Sequence, residues 1–179
     1  MQIPAPYDDA KLRRFPEQIA IAIAKDPSGK YNPITLCWSM LASIEPPMMA
    51  IAVGTQRHSA AALRHARSFV LSLPSDQMKA DVLFHGTKSG RDMDKLKESG
   101  TKIQPATKID SVLLADAVAN FECELVSEAP AGDHIIFVGQ VVASHVNQNP
   151  DLRRIYALGN DQMGPLQPAI KQDSINKKV

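Results

Sequence analysis

The stretch from Asn32 to Ser59 limits what this chain can fold into more than any other. Proline has no N–H to give to a sheet ladder, so the adjacent Pro46 and Pro47 force the chain out of a sheet between two apolar runs. The run before them predicts a strand, with Ile34, Leu36, Trp38 and Met40 on one face and Thr35, Cys37, Ser39 and Leu41 on the other. One face is apolar and the other carries hydroxyls. Ala42 to Glu45 reads as a loop with free backbone amides, and Met48 to Val53 as a second strand leading to a helix start. Those amides need a partner, and either water or a flat ligand with carbonyl and ring-nitrogen edges would serve.

Strand signals recur on both sides. Glu17 to Ala24 alternates large and small apolar residues and ends at the turn Lys25-Asp-Pro-Ser-Gly29, which predicts a hairpin with the strand that follows. Ser68 to Pro74 reads as a strand, and so does Ala117 to Val126, with Asn120, Glu122 and Glu124 on its polar face. Pro130 to Asp133 predicts a turn into a long strand over His134 to Val146, with a bulge at Gly139. Three short helices fit between the strands: one capped by Ser59, one over Asp76 to Gly86, and one from Ser89 to Gly100 with Ser89 as its cap. Residues 1–16 read as an extended arm, and the polar tail after Tyr156 as mobile at its end. Strands without regular crossover helices favour a mainly β, antiparallel barrel over a doubly wound sheet.

A length of 179 residues fits one domain, with its core over about 17–160. The formal net charge of +1, with both signs interspersed, offers no footprint for nucleic acid or a membrane surface. No apolar run approaches the ~20 residues of a spanning helix, and the first residues lack an apolar signal core, so a cytoplasmic protein is expected. Cys37 and Cys123 lie in apolar runs far from any Cys/His cluster, which predicts buried free thiols and no metal site.

No nucleotide, hydrolase or metalloprotease fingerprint is present. Arg57-His58-Ser59 at a helix start is either an ordinary cap or an anion seat. Lys88 to Lys95, with Ser89, Arg91 and Lys95, offers a second seat or a solvated charged turn. His134 follows Gly132-Asp133, where turn geometry alone explains Gly and Asp, while a His at a barrel rim could meet a substrate.

Taken in order, the run Asn32…Thr35…Trp38…Ser43…Pro46-Pro47, the helix start Arg57-His58-Ser59, Phe69 to Pro74, Ser89-Gly-Arg-Asp-Met-Asp-Lys95 and Gly132 to Gly139 resemble the flavin reductase-like family with its FMN-binding split barrel, flavoredoxin-like branch. The resemblance covers roughly residues 17–146 and is loose beyond them, where Arg154 and Tyr156 match weakly. It implies a Greek-key antiparallel split β-barrel and a homodimer, with FMN at the barrel rim. Carried over by position, Thr35, Trp38, Ser39, Met40 and Ser43 would line the ring and ribityl chain. The phosphate and ribityl hydroxyls would fall to the two seats, with Asn32, Arg57, His58, Ser59, Ser89, Arg91 and Lys95 as cofactor-binding residues. His134 would be the catalytic residue near the reactive face. Three functions follow from the resemblance: an NAD(P)H-dependent flavin reductase passing hydride or electrons from NADH or NADPH, a flavoredoxin-type carrier with a redox-protein partner, or a non-catalytic flavin-binding protein.

Overall fold

The structure is a computed structural model and describes residues 1–166. The mobile tail expected at the C-terminus lies at 167–179, outside the described residues. The N-terminal arm contains a short helix α1 (Tyr7–Lys11), followed by a 3-10 turn over Leu12–Arg14 and a two-residue strand β1 (Glu17–Gln18). Next comes the expected hairpin of β2 (Ala20–Lys25) and β3 (Tyr31–Leu36), in register from Ala20↔Leu36 to Lys25↔Tyr31. The Asp26 carboxylate accepts from the Ser28 and Lys30 amides, and Gly29 supplies the left-handed φ of +86° that closes the turn.

The strand expected from Asn32 to Leu41 is two strands. β3 ends at Leu36, and β4 (Ser39–Ser43) begins after a break at Cys37 and Trp38. The reason lies in their partners: β3 pairs with β2, while β4 pairs with β5 (Met48–Gly54). β4 also runs into the segment expected to be a loop, with a bulge at Ala42, and the prolines sit in the hairpin turn beyond it.

The remaining elements follow in order: α2 (His58–Ala66), β6 (Ser68–Leu73), α3 (Lys79–Thr87), α4 (Lys95–Ser99), β7 (Ile103–Pro105), β8 (Val112–Leu114), β9 (Ala119–Ala131), β10 (His134–Val146), β11 (Ile155–Gly159) and β12 (Gln162–Pro165). Ser59 is not the cap of α2, since the helix already includes it and its hydroxyl accepts from Asn32. Gly86 lies inside α3 and does not end it. The third helix is shorter than expected. Its cap is Asp94, which accepts from Lys97 N at 3.2 Å, while Ser89 accepts from Arg91 N in a preceding turn. Gly100, at φ +69°, ends it as expected. The pairs β7–β8 and β11–β12 had no expected counterpart.

The main sheet has the order β3-β2-β6-β9-β10-β5-β4, antiparallel throughout. Its two edge strands, β3 and β4, are consecutive in the chain, so the sheet curls on itself into the expected barrel and remains split where β3 and β4 part. Both faces of β2 are buried, which explains its alternation of large and small residues. Ala20, Ala22 and Ala24 face the barrel interior with Phe69, Phe137 and Leu63, where space is short. Ile19, Ile21 and Ile23 face an outer layer with Met78, Val82, Leu114 and Ile155.

The bulge expected at Gly139 lies across from it, where Val126 is the extra residue of β9, and β10 has its own bulge at Val142. A β-carbon on Gly139 would lie 2.7 Å from Phe69 Cε1 and 2.8 Å from Cys123 Cβ, both fully buried. Gly139→Ala is therefore expected to lower stability by about 1–3 kcal/mol, measured by urea unfolding.

β9 departs from the expected half-buried strand. Asn120 and Glu122, assigned to its polar face, are buried under the segment leading from β7 to β8. Glu122 accepts from the Thr107, Lys108 and Ile109 amides at 2.7–3.0 Å and from the Thr107 hydroxyl, and it pairs with His145 at 2.7 Å. Three successive amides wrapped round one carboxylate hold that segment against the barrel.

Candidate functional site

A cleft of about 560 Å³ opens where the barrel is split. Thr35 and Leu36 of β3, Trp38 at the break, Val53 of β5 and Leu83 of α3 line one side. Arg14, Phe15, Asp161, Gln162 and Met163, from the two ends of the described chain, form the facing wall. Its size and largely apolar lining suit a small molecule. The Thr35 hydroxyl donates to Val82 O at 2.7 Å, tying β3 to α3, and its lone pairs stay available.

Trp38 is half exposed, and its ring stands 4.6 Å from that of His134 at a tilt of 46°. His134 opens β10 opposite Gly54, and its Nδ1 lies 2.7 Å from Asp133 Oδ1. That hydrogen bond, together with the attraction of the His134 ring, holds the Asp133 carboxyl below its usual range.

A smaller lobe of about 250 Å³ shares Ile34, Arg57, Gly86 and Thr87 with the cleft. Arg57, Lys88, Arg91 and Lys95 line it together with His58, Ser59 and Ser89, and no acidic residue is among its lining residues. Lys95 is buried at 3 % exposure and donates to Pro33 O and, at 2.8 Å, to His85 O. An ammonium has three hydrogens, so one remains for the lobe. Burial, with the nearby Arg57 charge second, pulls Lys95 down to about 8. Burial and then the Lys95 charge pull the His85 imidazole to about 4, so that ring is neutral, with Nε2 bonded to Thr101 and Nδ1 buried without a partner. The loop over this lobe approaches closely because Gly90 lacks a side chain. A β-carbon there would lie 2.0 Å from Asn32 Oδ1, and Asn32 itself donates to Ser59 Oγ at 2.8 Å.

The fold thus brings nine of the expected cofactor-binding residues into the two lobes: Asn32, Thr35, Trp38, Arg57, His58, Ser59, Ser89, Arg91 and Lys95, with His134 at the cleft. Ser39, Met40 and Ser43 line neither, because the break at Cys37 and Trp38 turns β4 away to pair with β5. Sequence reasoning missed the facing wall of Arg14, Phe15 and Asp161 to Met163. The one signal for it was Gly159, whose bare α-carbon lets the Phe15 ring pack within 3.2 Å of where a β-carbon would be.

Residues 12–166 match the family described as Flavin reductase like domain. The chain belongs to that family. An uncharacterised protein of Pyrococcus abyssi is 35 % identical over 112 residues, which cover 63 % of this chain and 64 % of that protein. The chain therefore spans somewhat under two thirds of that relative's length. Among solved structures, a flavoredoxin from Methanosarcina acetivorans superposes with a TM-score of 0.83 over 99 % of this chain and 98 % of that one, at 18 % identity. An NADH:FAD oxidoreductase from Streptomyces globisporus does so with a TM-score of 0.79 over 94 % of this chain and 99 % of that one, at 20 % identity. At such identities the likeness is one of fold. Among the described residues of this flavin reductase-like protein, no helix is long and apolar enough to cross a membrane.

Proposed function

We propose that this flavin reductase-like protein binds FMN and carries hydride or electrons from NADH or NADPH to an acceptor. The observation that carries this reading is the pairing of an apolar cleft with a cationic lobe free of acidic lining residues. A flat ring joined to a phosphate by a polar chain has the same division of chemistry. The ring would lie against Trp38 and Thr35, and the phosphate among Arg57, Ser59, Ser89, Arg91 and Lys95. Bound flavin supplies the redox chemistry, and the protein's share is to bind, orient and shield it. Trp38, Phe15 and Met163 line the cleft and would shield a bound ring from water. The names of the two solved neighbours, a flavoredoxin and an NADH:FAD oxidoreductase, support the same class of chemistry.

The test is to add FMN to the purified protein, desalt it, and record the visible spectrum. A retained flavin band followed by bleaching with anaerobic NADH or NADPH supports the reductase. A retained band that nicotinamides leave unchanged supports a carrier served by a redox protein. Colourless protein would refute a tight FMN site.

His134 is assigned to orienting the nicotinamide or holding a proton at the cleft, since its ring packs on Trp38 while Asp133 fixes its Nδ1. His134→Ala is expected to slow flavin reduction by about 10- to 100-fold in anaerobic stopped-flow, at the lower end of acid–base effects. A homodimer is proposed as well. β4 is a sheet edge, and on and after it Met40, Leu41 and Ile44 are exposed. Light scattering of the purified chain gives the mass that decides it.

A further inference from the structure

Behind the cationic lobe stands a carboxylate that does not line it. Asp26, at 3 % exposure, sits in the turn between β2 and β3, and its two oxygens are divided between two tasks. Oδ1 takes the donors of the turn: Ser28 N at 2.8 Å, Ser28 Oγ at 2.6 Å and Lys30 N at 3.1 Å. Oδ2 lies 3.0 Å from Nε2 of His58, the first residue of α2 and 32 positions downstream. The hairpin needs only the first oxygen.

Burial pushes the Asp26 carboxyl up, but the bonds from Ser28, His58 and Lys30 outweigh it and hold the group at about 2. An ionised carboxylate only accepts, so Nε2 of His58 carries a hydrogen and Nδ1 is the ring nitrogen left for other work. Gly90 leaves the ring its room, since a β-carbon there would lie 3.0 Å from His58 Cδ2. His58 keeps 20 % of its side chain exposed and lines the small lobe. The charged and titratable groups around that lobe are Arg57 at the same helix start, Lys88 and Arg91 on the loop, His85 on α3 and Lys95 on α4.

We infer that Asp26 is a positioning residue which, acting through His58, fits the small lobe to a terminal phosphate monoester. The inference rests on the flavin reading above and extends it to the form of the cofactor. A monoester brings up to two negative charges and three acceptor oxygens, more than a phosphate bridging two groups. Four cationic side chains and an oriented imidazole answer that charge. Asp26 holds the imidazole in place and balances it when Nδ1 gives a hydrogen to the phosphate.

Fluorescence titration of the full chain with FMN and with riboflavin, which has the same ring and no phosphate, tests this. Asp26→Asn keeps an oxygen for Ser28 and Lys30 and sets an amide NH₂ against His58. It is expected to weaken FMN binding about tenfold while riboflavin binding stays the same, which also reports that the cleft is folded. His58→Ala is expected to do likewise, and the double variant to bind FMN no more weakly than His58→Ala alone. Ser28→Ala, which loosens the turn and leaves His58 untouched, is expected to change neither affinity. Equal weakening of both flavins by Asp26→Asn, unchanged FMN binding, or additive losses in the double variant would each overturn the inference alone. Failure of the parent chain to bind either flavin would overturn the flavin reading and this inference together.

Discussion

Replacing Lys95 with methionine is expected to weaken FMN binding by about 2–5 kcal/mol, enough to lose the flavin on desalting. The side chain is buried between Pro33 O and His85 O, and its remaining hydrogen is the least hydrated donor in the small lobe. Methionine fills much of the same volume, so the loss is one of charge and hydrogen bonds more than of packing. The pH dependence gives a sharper signature. The folded-state value of Lys95 is lowered from 10.5 to about 8, so between these limits the unfolded chain holds a proton that the folded one has released. The ligand-free protein therefore gains stability from this group as pH rises through that window. FMN affinity falls through the same window, because the anion needs the ammonium. Titrations of stability and of FMN binding should run in opposite directions above about pH 8, and both trends should vanish in Lys95→Met.

Glu122→Ala is expected to destabilise the fold by about 3–5 kcal/mol, read from chemical denaturation, because it strands three buried amides and a histidine. Burial pushes this carboxyl up, yet the bonds from Thr107, Lys108 and His145 outweigh it and hold the group at about 2 against an ordinary 4.5. A depressed carboxyl contributes its stability above the unfolded value and loses it as pH falls. Acid unfolding of the parent should thus draw on Glu122 between about pH 4.5 and 2, and the variant should lack that component. Its flavin site should be intact at neutral pH, since Glu122 lines neither lobe.

Local patterns made much of this legible, and their failures share a cause. The hairpins β2–β3 and β9–β10 could be read because turn chemistry and alternation lie within one short segment. The break at Cys37 and Trp38 could not, since the pattern runs on through it and the reason lies in pairing with β2 on one side and β5 on the other. Ser39, Met40 and Ser43 follow that break and are not among the residues that line the cleft. Lys95 could be read as part of an anion seat or of a solvated charged turn, but its burial could not, since that depends on carbonyls from β3 and α3. Glu122 looked solvent-facing because alternation says nothing about the amides that fold over it. Asp26 was read as turn chemistry, which accounts for only one of its oxygens. The wall of Arg14, Phe15 and Met163 joins segments from opposite ends of the described chain, beyond the reach of any window.

The parting of β3 from β4 has a consequence for how the protein persists in a cell. Residues of β3 and β5 both line the cleft, with Trp38 at the break between them, so whatever fills it touches strands on either side of the seam. Its occupant then binds the closed barrel and not the opened one, and adds RT ln(1 + [L]/Kd) to the free energy of keeping it shut. Cofactor supply becomes a term in the protein's lifetime: newly made chains in a flavin-poor cell would spend more time ajar, where proteases reach them.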